Sequence, residues 1–269
     1  MMCAYFKVSR SGFYAWEARD PSARQIRNER LTEQVRRIHA DRRGYCGSPR
    51  IQHALSQQGT DVSRGTVARV MRGARLQGRS ARLYRRSKVG QKAFFTSIPN
   101  TVRAIQPERI NQVWVGDVTY LRVSSQWRYL AVVMDKFSRR IIGWSLGRTR
   151  DAALTLDAVN HALRNRKPES GLHFHSHRGI EYAAWAYRQK LAQRGIVQSM
   201  NRPGKMNDNA HMESFFHSMK TEELYGQTFM SDDDLYRTLL SYIQFYNQQR
   251  LHSSIGYRAP AVFEKSLCS

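Results

Sequence analysis

Residues 171–185 read GLHFHSHRGIEYAAW, and His173, His175 and His177 fall at every second position of what reads as a short strand running into a helix. Alternation puts three imidazoles on one strand face, and imidazole is a ligand that zinc favours. Successive side chains on one face lie roughly 6.5–7 Å apart, too far to share one ion at about 2.0 Å without strong bending. A tridentate zinc site is the competing reading; half-buried strand residues beside a reactive site is the preferred one for His173 and His175. Asp117 lies in VWVGDVTYLRV, an apolar run where an ionised carboxylate needs a partner, a metal or a reactive site, unless the strand is an edge and the group faces solvent. In NRPGKMNDNAHMESFFHSMKTEEL a loop leads into a helix on which Asn209, Glu213, Phe216, His217 and Lys220 share one stripe. Glu213 and Lys220 then face one side two turns apart, as a reactive pair or as a surface ion pair above a capping loop. Trp114 and Tyr120, flanking Asp117, read as core residues rather than base-stacking platforms.

The elements that must carry these groups are legible in outline. VWVGDVTYLRV, WRYLAVVMDKFSRRIIGWSLG and LHFHSH are rich in β-branched and aromatic residues, whereas 151–166, 181–194, 210–225 and 232–250 have helical patterning. Three strands in a row followed by alternating helix and strand predict an α/β domain over 111–269, a mixed sheet covered by helices. Ahead of it, RQIRNERLTEQVRRIHA (24–40) spaces Ile26, Leu31, Val35 and Ile38 as a basic amphipathic helix. GSPRIQHALSQQG predicts a helix with Ser48 as N-cap, Pro49 at the first position and Gly59 as its stop. SRGTVARVMRGARLQG predicts another, with Ser63 as N-cap, an apolar stripe of Val67, Val70, Met71 and Ala74, and Gly78 as stop. Two short helices joined by a tight turn make a helix-turn-helix, on which Arg64, Arg69, Arg72 and Arg75 would reach phosphates or bases; the alternative is a solvated face on an ordinary hairpin. VSRSGFYAW (8–16) repeats the VSRGTVARV start at 62–70, so the chain reads as beginning inside a motif. Residues 1–80 are thus predicted as an all-α DNA-binding region and 81–110 as a basic linker.

Charge narrows the class of partner. The chain of 269 residues carries a formal +23 with a pI near 10.6, and residues 1–100 hold 21 Lys and Arg against 6 Asp and Glu. Such an excess points to a polyanion, nucleic acid or an anionic membrane surface, met most strongly by the N-terminal third. No apolar run is long enough to cross a bilayer and no signal peptide is evident, so no membrane and a cytoplasmic location are expected. Cys3, Cys46 and Cys268 form no CxxC pair, which supports neither a disulfide framework nor a cysteine zinc site.

WVGDVTYL, HSHRGIEY and NDNAHMESFFHSMKTE together resemble the three signature blocks of the integrase-core transposases of bacterial insertion sequences, relatives of retroviral integrases. There are 59 residues between Asp117 and His177 and 35 between His177 and Glu213, similar to the family's spacing of two acids and a glutamate. FYNQQRLHSSIGYRAPAVFE is similar to the family's C-terminal helix and tail, and the likeness covers nearly the whole chain. The resemblance implies a ribonuclease-H-like catalytic core, DNA strand cleavage and strand transfer, and two Mg²⁺ or Mn²⁺ ions held by Asp117, Glu213 and the residue at 177. It further implies Lys220 against the DNA backbone, with Arg178, Lys205 and Asn209 as further DNA contacts. Its implied partners are double-stranded DNA, as terminal inverted repeats and target, and other copies of the chain, at least a dimer on DNA. The abrupt start is similar to the downstream frame of elements whose active transposase fuses two frames. One departure matters: His177 stands where the family has its second catalytic aspartate. Mg²⁺ prefers anionic oxygen and imidazole does not supply it, so impaired cleavage is expected, with an inactive DNA-binding derivative as the alternative. Glu181, one helical turn on, is the other carboxylate that could replace the missing ligand, a weaker reading because a shifted backbone position rarely brings an oxygen within about 2.1 Å of the ion.

Overall fold

A computed structural model describes residues 9–20, 22–79, 98–203 and 206–267, which fall into two compact units divided between Arg79 and Ser80. The first unit is helical: α1 (Arg10–Glu17), α2 (Ala23–Asp41), α3 (Ser48–Gln57) and α4 (Arg64–Gly73). Its core joins Leu31, Val35 and Ile38 of α2 to Ile51, Ala54 and Leu55 of α3 and to Val67 and Met71 of α4, the stripes that the spacing predicts. Ile26, placed on that stripe by sequence, is 40% exposed instead, on a groove that it lines with Leu31, Thr60 and Val62. Cys46 is buried in this core, while Cys3 and Cys268 lie outside the described residues.

The helix ends refine the predicted ones. Ser63 caps α4 as expected, its hydroxyl accepting from the Thr66 amide at 3.2 Å. The cap of α3 is Gly47, not Ser48, which is already helical and puts Pro49 one position further in. α4 ends at Gly73 rather than running to Gly78, since Arg75 turns left-handed (φ 56°) and the Leu76 amide bonds back to Met71. Gly78 is needed for a different reason: a Cβ there would stand 2.6 Å from the backbone of Gly47. The early echo does form a helix start, with Ser9 Oγ accepting from Gly12 at 3.0 Å.

The second unit is a five-stranded mixed sheet, β1 (Val113–Val123), β2 (Gln126–Asp135), β3 (Ile141–Gly147), β4 (His173–Ser176) and β5 (Val197–Met200), ordered β3-β2-β1-β4-β5. β1, β2 and β3 are antiparallel neighbours, while β4 and β5 run parallel to β1. The α/β, ribonuclease-H-like expectation stands. α5 (Ala152–Asn165) packs on β2 and β3 so closely that a Cβ on Gly143 would meet the Ala158 carbonyl at 2.3 Å. Between β4 and β5 the predicted 181–194 helix is two, α6 (Ile180–Ala183) and α7 (Trp185–Gln193), split at Ala184 in extended conformation. α8 (Ala210–Met219) crosses β1, and α9 (Asp232–Gln248) and α10 (Pro260–Lys265) complete the layer. The N-terminal half of β1 is buried on both faces, but its C-terminal half alternates, leaving Tyr120 and Arg122 outside. The predicted linker's last residues belong to this unit: Pro99 accepts from Met200 at the edge of β5, and Thr101 binds Ser199. Residues 81–97 lie outside the described ones.

Candidate functional site

The register of the parallel pair builds the site. Gly116 of β1 lies beside Ser176 of β4, so the next residue of each, Asp117 and His177, must adjoin where β4 ends and β1 continues. His177 Nδ1 is 2.9 Å from Asp117 Oδ1, a close polar contact rather than a well-aligned hydrogen bond. The same oxygen accepts the Val118 amide at 2.8 Å. On the other side of the ring, Nε2 is 2.7 Å from Arg150 Nη2 and 3.5 Å from Glu181 Oε1. Glu181 is 2% exposed and accepts from Arg150 Nε at 2.9 Å. Burial works against a charged imidazole here, yet the Asp117 and Glu181 carboxylates outweigh it and raise the His177 pKa above its ordinary value.

The third block arrives through Asn209, whose buried amide donates to the Gly116 carbonyl at 3.1 Å and fixes the start of α8 next to Asp117. The preceding turn is pinned by Asp208, which accepts from Arg202 at 2.8 Å and Asn100 at 2.8 Å; those donors hold its carboxyl well below the usual range. Glu213, Phe216, His217 and Lys220 then line one cleft with Asp117 and Tyr120, of about 550 Å³, so the predicted stripe faces the predicted aspartate. Past Lys220 the helix widens into a π turn (Lys220–Leu224), closed by the Tyr225 amide on the Lys220 carbonyl at 2.7 Å. Lys220 Nζ sits 4.7 Å above the Tyr120 ring, and burial lowers its pKa to about 8 against the attraction of Asp117.

The three histidines do not converge. His173 bonds Thr101 Oγ1 at 3.0 Å, and His175, 1% exposed rather than half-buried, bonds Ser199 Oγ at 2.9 Å. His177 lies beyond the strand, and among the described residues no three His, Cys, Asp or Glu are grouped to hold one ion. Glu181 Oε1 is held by Arg150, while its Oε2 is buried beside the His177 ring without a hydrogen-bond partner among the described residues.

The remaining predicted residues divide. Arg64, Arg69, Arg72 and Arg75 are all exposed on the first unit, although Arg75 is off the helix. A groove in that unit joins Arg69 and Thr66 of α4 to Arg24, Arg27 and Arg36 of α2, basic residues that the helix-turn-helix pattern alone did not single out. Arg178 is turned inward, Nε donating to Asn201 O at 2.5 Å and Nη2 to Ile98 O at 3.1 Å, so it braces two loops instead of reaching outward. Lys205 lies outside the described residues. Trp114 is core, as expected, with its indole N–H on Asn111 at 3.2 Å. Tyr120 is not: at 49% exposure it stands on the open end of β1, beyond the helices that cover Trp114.

Residues 107–206 and 194–260 match integrase core domain families, and 26–84 match an HTH-like domain. The chain is 36% identical to the Insertion element IS600 uncharacterized 31 kDa protein of Shigella sonnei, over 98% of this chain and 97% of that protein. It is 35% identical to the Transposase InsF for insertion sequence IS3A of Escherichia coli (strain K12), over 98% of this chain and 92% of that one. Among solved structures, the HTLV-2 integrase catalytic core domain in complex with magnesium (dimeric form) matches with a TM-score of 0.47 at 15% identity, over 59% of this chain and 99% of that chain. With identity at this level along nearly its entire length, the chain belongs to the integrase-core transposases of bacterial IS3-type insertion sequences.

Proposed function

We propose that this transposase binds the terminal repeats of its element and target DNA, as a dimer or larger assembly, with a strand-cleavage and strand-transfer centre at Asp117, His177, Glu213 and Lys220 that residue 177 impairs. The observation that carries the reading is the His177–Asp117 contact inside the cleft shared by Glu213 and Lys220. In this family's chemistry a pair of divalent cations activates the attacking oxygen and stabilises the departing one. The donor set here does not fit such a pair. Two carboxylates remain of three, and Asp117 Oδ1 accepts the Val118 amide with the imidazole nitrogen 2.9 Å away. A hard cation held at that oxygen would have an imidazole beside it instead of a second anionic ligand.

What the other residues supply is independent of that loss. Lys220 places a cation beside the cleft where a phosphodiester would lie. Asn209 ties the start of α8 to β1, and the exposed arginines of α4 with the α2 groove offer phosphate contacts. The test is cleavage and joining of the element's own ends by the full chain and by His177→Asp, with Mg²⁺ and with Mn²⁺. The revertant should exceed the parent in Mg²⁺ by at least about 100-fold. Equal activity would refute the assignment of residue 177. Products from the parent in Mn²⁺, which tolerates imidazole better, separate an impaired enzyme from a derivative that only binds the ends.

A further inference from the structure

Next to the cleft, the open end of the β1–β2 hairpin carries Tyr120, Arg122 and Trp127, three side chains that the transposase reading leaves unused, alongside Lys220 of the cleft itself. Tyr120 and Trp127 are 49% and 50% exposed and meet edge to face, ring centroids 5.2 Å apart at 88°. Arg122 is directly opposite Trp127 in the register, its guanidinium 5.8 Å from the indole centroid, and Lys220 covers Tyr120 from the other end. The order along the surface is cation, ring, ring, cation. Leu121, Leu224 and the exposed Tyr225 close a mainly apolar pocket of about 240 Å³ around these rings. That pocket and the cleft of Asp117 and Glu213 share Tyr120 and Lys220, so the two are continuous. The hairpin itself is anchored, since the Ser124 amide bonds the Phe229 carbonyl at 2.8 Å and Arg122 Nε bonds Ser124 O at 3.2 Å.

Half-exposed aromatic rings grouped on a sheet end are unfavourable in water and mark a surface with an occupant. Rings that offer an apolar face between two cations suit a planar base on an anionic backbone, the combination that binds single-stranded nucleic acid without sequence preference. We propose that Tyr120 and Trp127, flanked by Arg122 and Lys220, form a stacking pocket for an unpaired nucleotide adjoining the scissile phosphate. This rests on the reading of the Asp117 cleft as the place where DNA strands are handled. A paired base cannot enter without breaking its pair and leaving the helical stack; a base freed at a frayed or cut end has no such cost.

The experiment uses the full chain and a short duplex ending in one unpaired 2-aminopurine, compared with the same duplex in which that base is paired. Stacking should quench the fluorescence of the unpaired base. Trp127→Ala should weaken the quenching titration about tenfold or more, and Trp127→Phe should retain most of it. Affinity for the fully paired duplex should stay within about twofold, because cations elsewhere supply it. A circular dichroism melt checks that each variant is folded. Binding of both duplexes without quenching, or equal weakening of both by Trp127→Ala, would overturn the proposal. So would a variant that loses self-association while quenching persists, which would make the row a protein contact. If neither duplex binds, the transposase reading falls, and this proposal with it.

Discussion

His177 acts on Asp117 in two ways: it withholds a carboxylate and it occupies an oxygen. The Asp117 and Glu181 charges raise its proton affinity against the effect of burial, which favours a positive ring at 2.9 Å from Asp117 over a metal ion there. His175 and His211 show the opposite response: burial pushes each down to about 4, with the positive charges of Arg139 and Lys136 adding to the effect at His211. An unfolded chain takes up those protons near 6.5 and the folded chain only near 4. Their contribution to stability is therefore complete above pH 6.5 and is lost as pH falls from 6.5 toward 4. For His175 the loss is on the order of 3 kcal/mol. Melting temperatures at pH 7 and 5 should differ more in the parent than in His175→Gln; parallel profiles would show that His175 titrates normally. None of this was legible in GLHFHSHRGIEYAAW, since alternation gives a common face and cannot tell which neighbour receives each imidazole.

At the scale of elements, the π turn after α8 depends on one buried pair. Arg250 donates to Glu222 through Nε at 2.7 Å and Nη2 at 2.6 Å, and Tyr242 adds its hydroxyl at 2.8 Å. Arg250→Ala should cost about 3–5 kcal/mol in urea unfolding, because Glu222 is left buried without its counter-ion; a double replacement of Arg250 and Glu222 by apolar residues should cost less. A double variant as unstable as the single one would contradict this. The sequence revealed the strands and helices that carry long apolar patterns, including the register of Glu213 with Lys220. It did not reveal β5, four residues without alternation, nor the break at Ala184, nor the end of α4, each decided by contacts distant in sequence. Tyr120 reads as core in sequence for a similar reason: its neighbours in β1 are apolar, and only the tertiary fold shows that it is 49% exposed.

For the whole molecule, charge and composition pointed to a polyanion, and the three spaced blocks to the chemistry it would meet. The excess of cations implies binding that weakens steeply with salt. For the full chain on a short duplex, the slope of log affinity against log salt should become shallower by about 1 for each of Arg69→Ala and Arg72→Ala. An unchanged slope would remove those side chains from the DNA-binding surface. The central claim concerns what Asp117 can hold with histidine beside it, and it is tested most directly by Mn²⁺ uptake of the full chain, measured by electron paramagnetic resonance, in the parent and in His177→Asp. The revertant is expected to bind Mn²⁺ at least about tenfold more tightly than the parent; equal affinity in both would contradict the claim.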